Sequence, residues 1–309
     1  MATPNMFRYI ICTSTELPHL AYSKSSTDSW SKSNLPARAL ALLTPSEREA
    51  VLRYRRPCDA ALSVGSYLLK HLAIVKACNI SWQDSTLSRQ PGNGKPYYEP
   101  PSDKQGLEFN VSHHGDLVVL IGLSGPKVDV GIDVVKVDMD RHSQRGLHGV
   151  DGEKEWEAWL GIYDSVMSET EIQAMMAFKP TQPGLEGRRA KFRLFYAYWG
   201  LKEAYIKMTG EALLASWLKE LEFRSVQAPS PVDQSIEEGQ AAWGETMSNF
   251  EIWLKGERVK GVKMELQSFG RDYMIATAVN QHNIPGAAVF PAFEHIDIGR
   301  DMLPYGLVS

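Results

Sequence analysis

Two short stretches constrain this chain most, because each sets a carboxylate inside an otherwise apolar pattern, where an unpaired charge is costly. In the first, Val128, Val130, Ile132 and Val134 alternate with Asp129, Gly131, Asp133 and Val135, the period of a half-buried strand. That reading places Asp133 beside Gly131 with open space next to it. The second reads as a helix from about Arg189 to Thr209, with Phe192, Phe195, Tyr196, Trp199 and Ile206 as its apolar stripe and Gly210 as its C-cap. Steps of four align Phe195, Trp199, Glu203 and Lys207. Glu203 therefore stands in line with two aromatic rings, one turn from an ammonium group. A divalent cation is the simplest partner for two carboxylates so placed.

A chain of 309 residues can bury a sizeable core, as one large domain or two closely packed lobes. Its 43% hydrophobic and 23% charged residues are ordinary for a folded globular protein, and no apolar run reads as a membrane span. The stretch from Met1 to Cys12 lacks a basic segment followed by an apolar one and a small-residue cleavage site, so a cytoplasmic protein is expected. Cys12, Cys58 and Cys78 are too few and too scattered for a disulfide framework or a zinc site, which agrees with a reducing compartment. A formal net charge of −4 argues against broad binding to nucleic acid or anionic membrane, but leaves room for a local basic pocket. Arg53, Arg55 and Arg56 cluster, and Lys95 follows the turn-like Gly92-Asn-Gly94.

Along the chain, a first strand is expected from Phe7 to Cys12. Thr44-Pro-Ser-Glu47 has the pattern of a capping box with proline in the first turn. A core helix follows near Asp59, with Ala61, Val64, Leu68, Leu72 and Val75 at helical spacing and an end near Asn79. Leu107 to Val111 and Leu117 to Leu123 read as strands joined across Ser112-His113-His114-Gly115-Asp116. The polar stretch 138–151 reads as a surface excursion, and Trp156, Trp159 and Tyr163 beyond it as a packing stripe. Ser168-Glu-Thr-Glu171 is a second capping box. Four further strands are expected at Leu221 to Val226, Phe250 to Leu254, Val262 to Phe269 and Tyr273 to Val279, with a disordered loop from Gln227 to about Thr246.

Gly-Lys-Pro at 94–96, Phe-Asn-Val-Ser-His at 109–113, Gly-Ile-Asp at 131–133 and Trp-x-x-Lys-Glu-x-x-x-Lys at 199–207 occur in one order. Together they resemble the 4′-phosphopantetheinyl transferases of the monomeric, surfactin-synthetase-activating type, over roughly residues 40 to 280. Length and long inserts resemble a fungal member. The resemblance implies an α+β fold of two similar α/β lobes, a pseudo-dimer with the active site in the cleft, and a division at about 1–127 and 128–309. It implies transfer of the phosphopantetheine arm of coenzyme A to a serine of acyl- or peptidyl-carrier domains of fatty-acid, polyketide and nonribosomal-peptide synthases. Adenosine 3′,5′-bisphosphate would leave, and magnesium, with manganese as the alternative, would sit at the pyrophosphate.

By the same resemblance, Asp133 is a magnesium ligand, and Glu203 is a second ligand, the general base for the incoming serine, or both. Lys207 would contact phosphate, whereas Lys202 faces elsewhere on the helix. Ser112 and His113 would face the phosphates of coenzyme A, Lys95 the adenine and ribose phosphate, and Ser63 supplies a hydroxyl from the preceding helix. Arg53 and Arg56 stand where cations for the 3′-phosphate are expected, with the choice among Arg48, Arg53, Arg55 and Arg56 open and Arg53 favoured. Val135 departs from many bacterial relatives, which carry there a third acidic ligand. Displacement at a pyrophosphate needs a cation, donors for the remaining phosphates and a base, and this chain offers all three. Two other readings stay open: a metal-dependent phosphodiester hydrolase, and a non-catalytic module for coenzyme A or a carrier protein.

Overall fold

Alternation along six long strands sorts their side chains into three separate cores. The computed structural model describes residues 5–18, 26–91, 94–100, 106–125, 127–137, 152–211, 215–233, 242–282, 284 and 288–307. Strands are β1 (Asn5–Cys12), β2 (Ser88–Arg89), β3 (Pro96–Tyr97), β4 (Leu107–His114), β5 (Leu117–Ser124), β6 (Val130–Lys136) and β7 (Leu221–Arg224). They continue as β8 (Trp243–Met247), β9 (Glu251–Leu254), β10 (Glu257–Arg258), β11 (Val262–Phe269), β12 (Tyr273–Asn280) and β13 (Phe293–His295). One sheet has the order β13-β1-β5-β4 and a second the order β6-β12-β11-β8. A small third sheet, β10-β9-β7, and the pair β2-β3 complete the set.

The first core helix, Pro57–Cys78, opens on Pro57, carries Asp59 in its first turn and ends on Asn79 in the left-handed conformation. It packs Val64, Leu68 and Leu72 against Tyr9, Ile11, Phe109, Val118 and Leu120 on one face of the first sheet. Its length and hydropathy would let it cross a membrane, which corrects the reading that no such stretch exists, but it lies mostly buried inside the protein. The opposite face of that sheet, with Ile10, Val119 and Ile121, meets Val130, Ile132, Val134 and Ile275 of the second sheet. The second sheet's far face, with Val135, Met274, Ala276 and Leu266, takes the second core helix, Gly184–Thr209. The order of layers is thus helix, sheet, sheet, helix, two α/β lobes back to back. Arg8 on β1 joins them, donating to Glu265 on β11 at 2.5 Å and to Thr277 on β12 at 3.3 Å.

Several expectations hold to the residue. Both capping boxes form, at Thr44 and Glu47 and at Ser168 and Glu171. Gly210 caps the second core helix at φ 76, and β11 spans Val262–Phe269. Trp156 and Trp159 are buried and stack on each other at 5.2 Å, both edge-on to Phe192, so they form the expected packing stripe.

Others need correction. β6 is buried on both faces rather than half-buried, because a sheet covers one side and a helix the other. The hairpin between β4 and β5 turns only at Gly115 and Asp116, so Ser112, His113 and His114 belong to the strand. Gly115 has φ +62, and a Cβ there would stand 2.3 Å from the Tyr273 hydroxyl, a position only glycine fills without strain. Within the stretch 227–246 expected to be disordered, Trp243–Met247 is a strand on the edge of β11, and Val232 donates its amide to the Gly270 carbonyl. The tail crosses the expected boundary: β13 pairs parallel with β1, and Ile296, Ile298 and Met302 join the first lobe's core. Gly92, Asn93 and the stretch 138–151 lie outside the described residues.

Candidate active site

The second core helix crosses β6 at Gly131, where a Cβ would stand 2.0 Å from the Ala204 carbonyl oxygen and 2.6 Å from the Met208 amide nitrogen. The open space expected beside Asp133 is therefore filled by helix backbone. Absence of a side chain at 131 lets the helix approach closely enough to hold Lys207 against Asp133. Val135, the departure from the three-acid pattern, is 2% exposed and faces Gly200 and the second core.

β4 and β6 are the facing edges of the two sheets, and side chains rather than a backbone ladder join them. Asn110 Oδ1 accepts the Ile132 amide at 3.1 Å and His114 Nδ1 accepts the Lys136 amide at 3.0 Å. Between them Ser112 Oγ donates to Asp133 Oδ1 at 2.8 Å. Lys207 Nζ donates to the same carboxylate oxygen at 2.6 Å and to Ser112 Oγ at 2.8 Å. Asp133 is buried, and Lys207 and Glu203 are half-buried. Glu203 lies one turn before Lys207 and accepts no hydrogen bond from the described residues. Burial, and then the negative charge of Asp133, push its carboxyl up to about 7, with Lys207 pulling the other way.

Strand alternation separates two neighbours expected to act together. Ser112 faces the Asp133 and Lys207 cluster, whereas His113 faces the first core helix across a cleft of about 240 Å³. Ser63, Ser66, Lys70, Tyr67, Asp59 and Arg89 share that cleft with His113. Lys70 is 5% exposed, its ammonium 4.4 Å above the Tyr67 ring. Burial first, and then the charge of Arg89, bring its pKa down to about 8, against a weaker pull from Glu47. His113 is also held below the usual histidine value, by loss of solvent and then by Lys207 and Lys70. It stands between the cleft and the carboxylate cluster, and both cations act on it.

The structure does not bring every expected residue to this place. Arg53 is exposed and bound to Glu49 at 2.6 Å, outside the cleft. Arg56 grips Asp59 with two hydrogen bonds, at 2.8 and 3.0 Å, and reaches the cleft only through that carboxylate. Arg48 is spent on the Leu40 and Leu43 carbonyls. Lys95 follows the turn, its carbonyl accepting the Gln90 amide at 2.9 Å, and does not line the cleft. Lys202 does face elsewhere: it is buried against Glu171 at 3.0 Å and donates to the Leu218 and Leu221 carbonyls. Lys70 and Arg89 were missed by sequence reasoning. Lys70 was discoverable, since Asp59, Ser63, Ser66 and Lys70 recur at helical spacing in an otherwise apolar helix; Arg89 carries no comparable signal.

Cationic and hydroxyl groups from the first lobe and two carboxylates with a lysine from the second are a set that could hold a phosphorylated substrate. Comparison with known proteins makes the class specific. Residues 28–125 match the family model described as 4′-phosphopantetheinyl transferase, N-terminal, and residues 129–276 match that of the 4′-phosphopantetheinyl transferase superfamily. The chain is 32% identical over 305 residues to 4′-phosphopantetheinyl transferase 1 of Fusarium mangiferae, covering 99% of this chain and 96% of the relative. It is 35% identical to 4′-phosphopantetheinyl transferase A of Aspergillus fumigatus, over 86% of this chain and 88% of that one. The human L-aminoadipate-semialdehyde dehydrogenase-phosphopantetheinyl transferase is 26% identical, over 80% and 72%. This chain belongs to the 4′-phosphopantetheinyl transferase family, and within it groups with the fungal enzymes.

Proposed function

We propose that this enzyme moves the phosphopantetheine arm of coenzyme A onto a serine of apo acyl- and peptidyl-carrier domains, in a magnesium-dependent reaction releasing adenosine 3′,5′-bisphosphate. The observation that carries the reading is the pairing of a cationic cleft on one lobe with a part-buried carboxylate pair on the other. A molecule with a phosphate at one end and a pyrophosphate in its middle needs both.

Asp133 and Glu203 would hold the magnesium, and the donor set fits it. Two carboxylates share a part-buried place, burial and then repulsion by Asp133 raise the Glu203 pKa to about 7, and magnesium accepts a few carboxylates with phosphate oxygens and water. The ion would neutralise charge on the pyrophosphate oxygens as the bridging bond breaks.

The protein's own residues do the rest. Lys70, Arg89, Ser63 and His113 bind the nucleotide phosphate in the first-lobe cleft. Ser112 holds Asp133 in place, and Lys207 moves from Asp133 to a phosphate oxygen when substrate enters. The carrier serine oxygen attacks the phosphorus that bears the pantetheine arm. Glu203 takes the serine proton, and the bond to the adenosine bisphosphate oxygen breaks with its electron pair on the leaving group. Carrier domains of fatty-acid, polyketide and nonribosomal-peptide synthases are the proposed acceptors. The name of the human relative adds an L-aminoadipate-semialdehyde dehydrogenase, and we include a role in lysine biosynthesis in the same proposal. We further assign a cytoplasmic monomer.

The test is mass spectrometry of a panel of apo-carrier domains incubated with enzyme, coenzyme A and magnesium. A gain of one phosphopantetheine on at least one carrier is expected. Normal coenzyme A binding with no modification of any carrier would sink the transferase reading, and nucleotide release without a carrier would favour hydrolysis.

A further inference from the structure

We propose that a second cavity, remote from the active site, binds a small amphipathic carboxylate. The cavity is a half-open cleft between the first half of the second core helix, the helix Glu169–Ala177 and the segment 225–231, with a volume of about 750 Å³, within the range of small-molecule pockets. Arg189 precedes Glu203 by fourteen positions on one helix, roughly 20 Å at 1.5 Å per residue.

The wall is mostly apolar, with Phe178, Leu194, Tyr198, Val226, Ala228 and Pro229. Its charged side chains are Glu186, Arg189 and Arg193, and of these Arg189 carries the unused donors. Nε and Nη1 of Arg189 are closed off from solvent and donate no hydrogen bond. Its ion-pair partner among the described residues, Asp272, stands 3.7 Å from Nη1, too far for a hydrogen bond. Donors buried and unused in this way leave a guanidinium short of acceptors.

The surroundings supply opposite charge but not the missing acceptors. Arg193, one turn on, is 4% exposed and is satisfied wholly by neutral acceptors: the Pro229 carbonyl at 2.7 Å, the Arg271 carbonyl at 3.1 Å and Ser268 Oγ at 2.6 Å. Glu186, also in the wall, and Asp272 stand at ion-pair distance only, 3.6 Å from Arg271 and 3.7 Å from Arg189. Three arginines thus face two carboxylates, and the buried one of the three has no acid in contact. A planar carboxylate matches the guanidinium fork, and the apolar wall calls for a hydrocarbon or aromatic body behind it. A bare phosphate would leave that wall unused.

Isothermal titration of decanoate and of decan-1-ol into the full-length protein tests the site, since the two share a chain and differ in the head group. Decanoate should bind at one site at least tenfold more tightly than the alcohol, with saturating coenzyme A leaving its affinity unchanged. Arg189→Leu should bring the two ligands within about threefold, Arg189→Lys should keep a preference for the acid, and Leu194→Trp should remove both by filling the cavity. Should Arg189→Leu fail to fold, Arg189→Gln makes the same comparison. Absence of saturable decanoate binding, competition with coenzyme A, or a tenfold preference that survives loss of the arginine would each overturn the proposal.

Discussion

The two core helices occupy equivalent places, each laid on the outer face of its own sheet, yet burial does opposite things to them. On Pro57–Cys78 it presses on a base, and Lys70 falls to about 8; on Gly184–Thr209 it presses on an acid, and Glu203 rises to about 7. The physical cause is one: loss of water disfavours whichever form is charged. Neither group has a full counter-charge from the protein. Each lobe therefore holds an unfinished interaction, one that an anion would complete and one that a cation would complete. The lysine of the other buried pair, Lys202, shows what a finished interaction looks like. It meets Glu171 and two carbonyls, and Glu171 also accepts the Ser168 and Phe223 amides.

The largest effect expected from this contrast is on turnover. Glu203→Gln should lower the rate of carrier modification by about 10²- to 10⁴-fold, the range for loss of a general base, while coenzyme A binding measured by calorimetry persists. Equal turnover in the variant would end the assignment of Glu203 as base. Lys202→Met should instead act on folding, with ~3–5 kcal/mol lost because Glu171 is left buried without its partner, read by urea denaturation. If that variant is as stable as the parent, the finished pair is not structural.

Lys70→Met should divide the two properties. Coenzyme A affinity is expected to fall by about 10- to 100-fold, as for a charged hydrogen bond, and the ligand-free protein should melt no lower than the parent. The sign follows from its depressed folded pKa: the lysine's favourable contribution exists above its ordinary 10.5 and is lost as pH falls through about 8. A weakened fold with unchanged affinity would reverse the roles of the two helices. The smallest effect is on pH dependence. Glu203 has a raised pKa, so its contribution to stability is full below the ordinary 4.5 and is lost as pH rises through about 7. The melting temperature of ligand-free protein should decline on this account between about pH 5 and pH 8, and Glu203→Gln should flatten that decline. Parallel profiles for the two proteins would show that burial does not govern Glu203.

Local chemistry made much of the fold legible. Thr44 and Glu47, Ser168 and Glu171, Asn79 and Gly210 signal helix ends by hydrogen bonds formed within a few residues, and β11 and β12 alternate strictly enough to be placed within a residue. Asp133, Glu203, Lys207 and Ser112 were also readable as a set, through motif order. What escaped depends on contacts between distant segments. Nothing near Gly131 announces that the backbone at Ala204 and Met208 will fill the space beside it. Arg53 is as basic in sequence as Arg89, but one turns to Glu49 in solvent and the other lines the cleft. Asn110 and His114 look like ordinary strand polar residues until β6 presents them with unpaired amides.

The parallel pairing of β13 with β1 carries a consequence for how the chain is made. Arg8 lies opposite Phe293 in that register, so β1 waits through synthesis of the whole intervening segment before its outer edge is covered. Until then β1 offers a bare row of amides and carbonyls to any passing strand. Contacts of such sequence separation also form slowly. Translation arrest or proteolysis upstream of residue 293 would therefore release a first lobe with an open seam, prone to pair with its own kind.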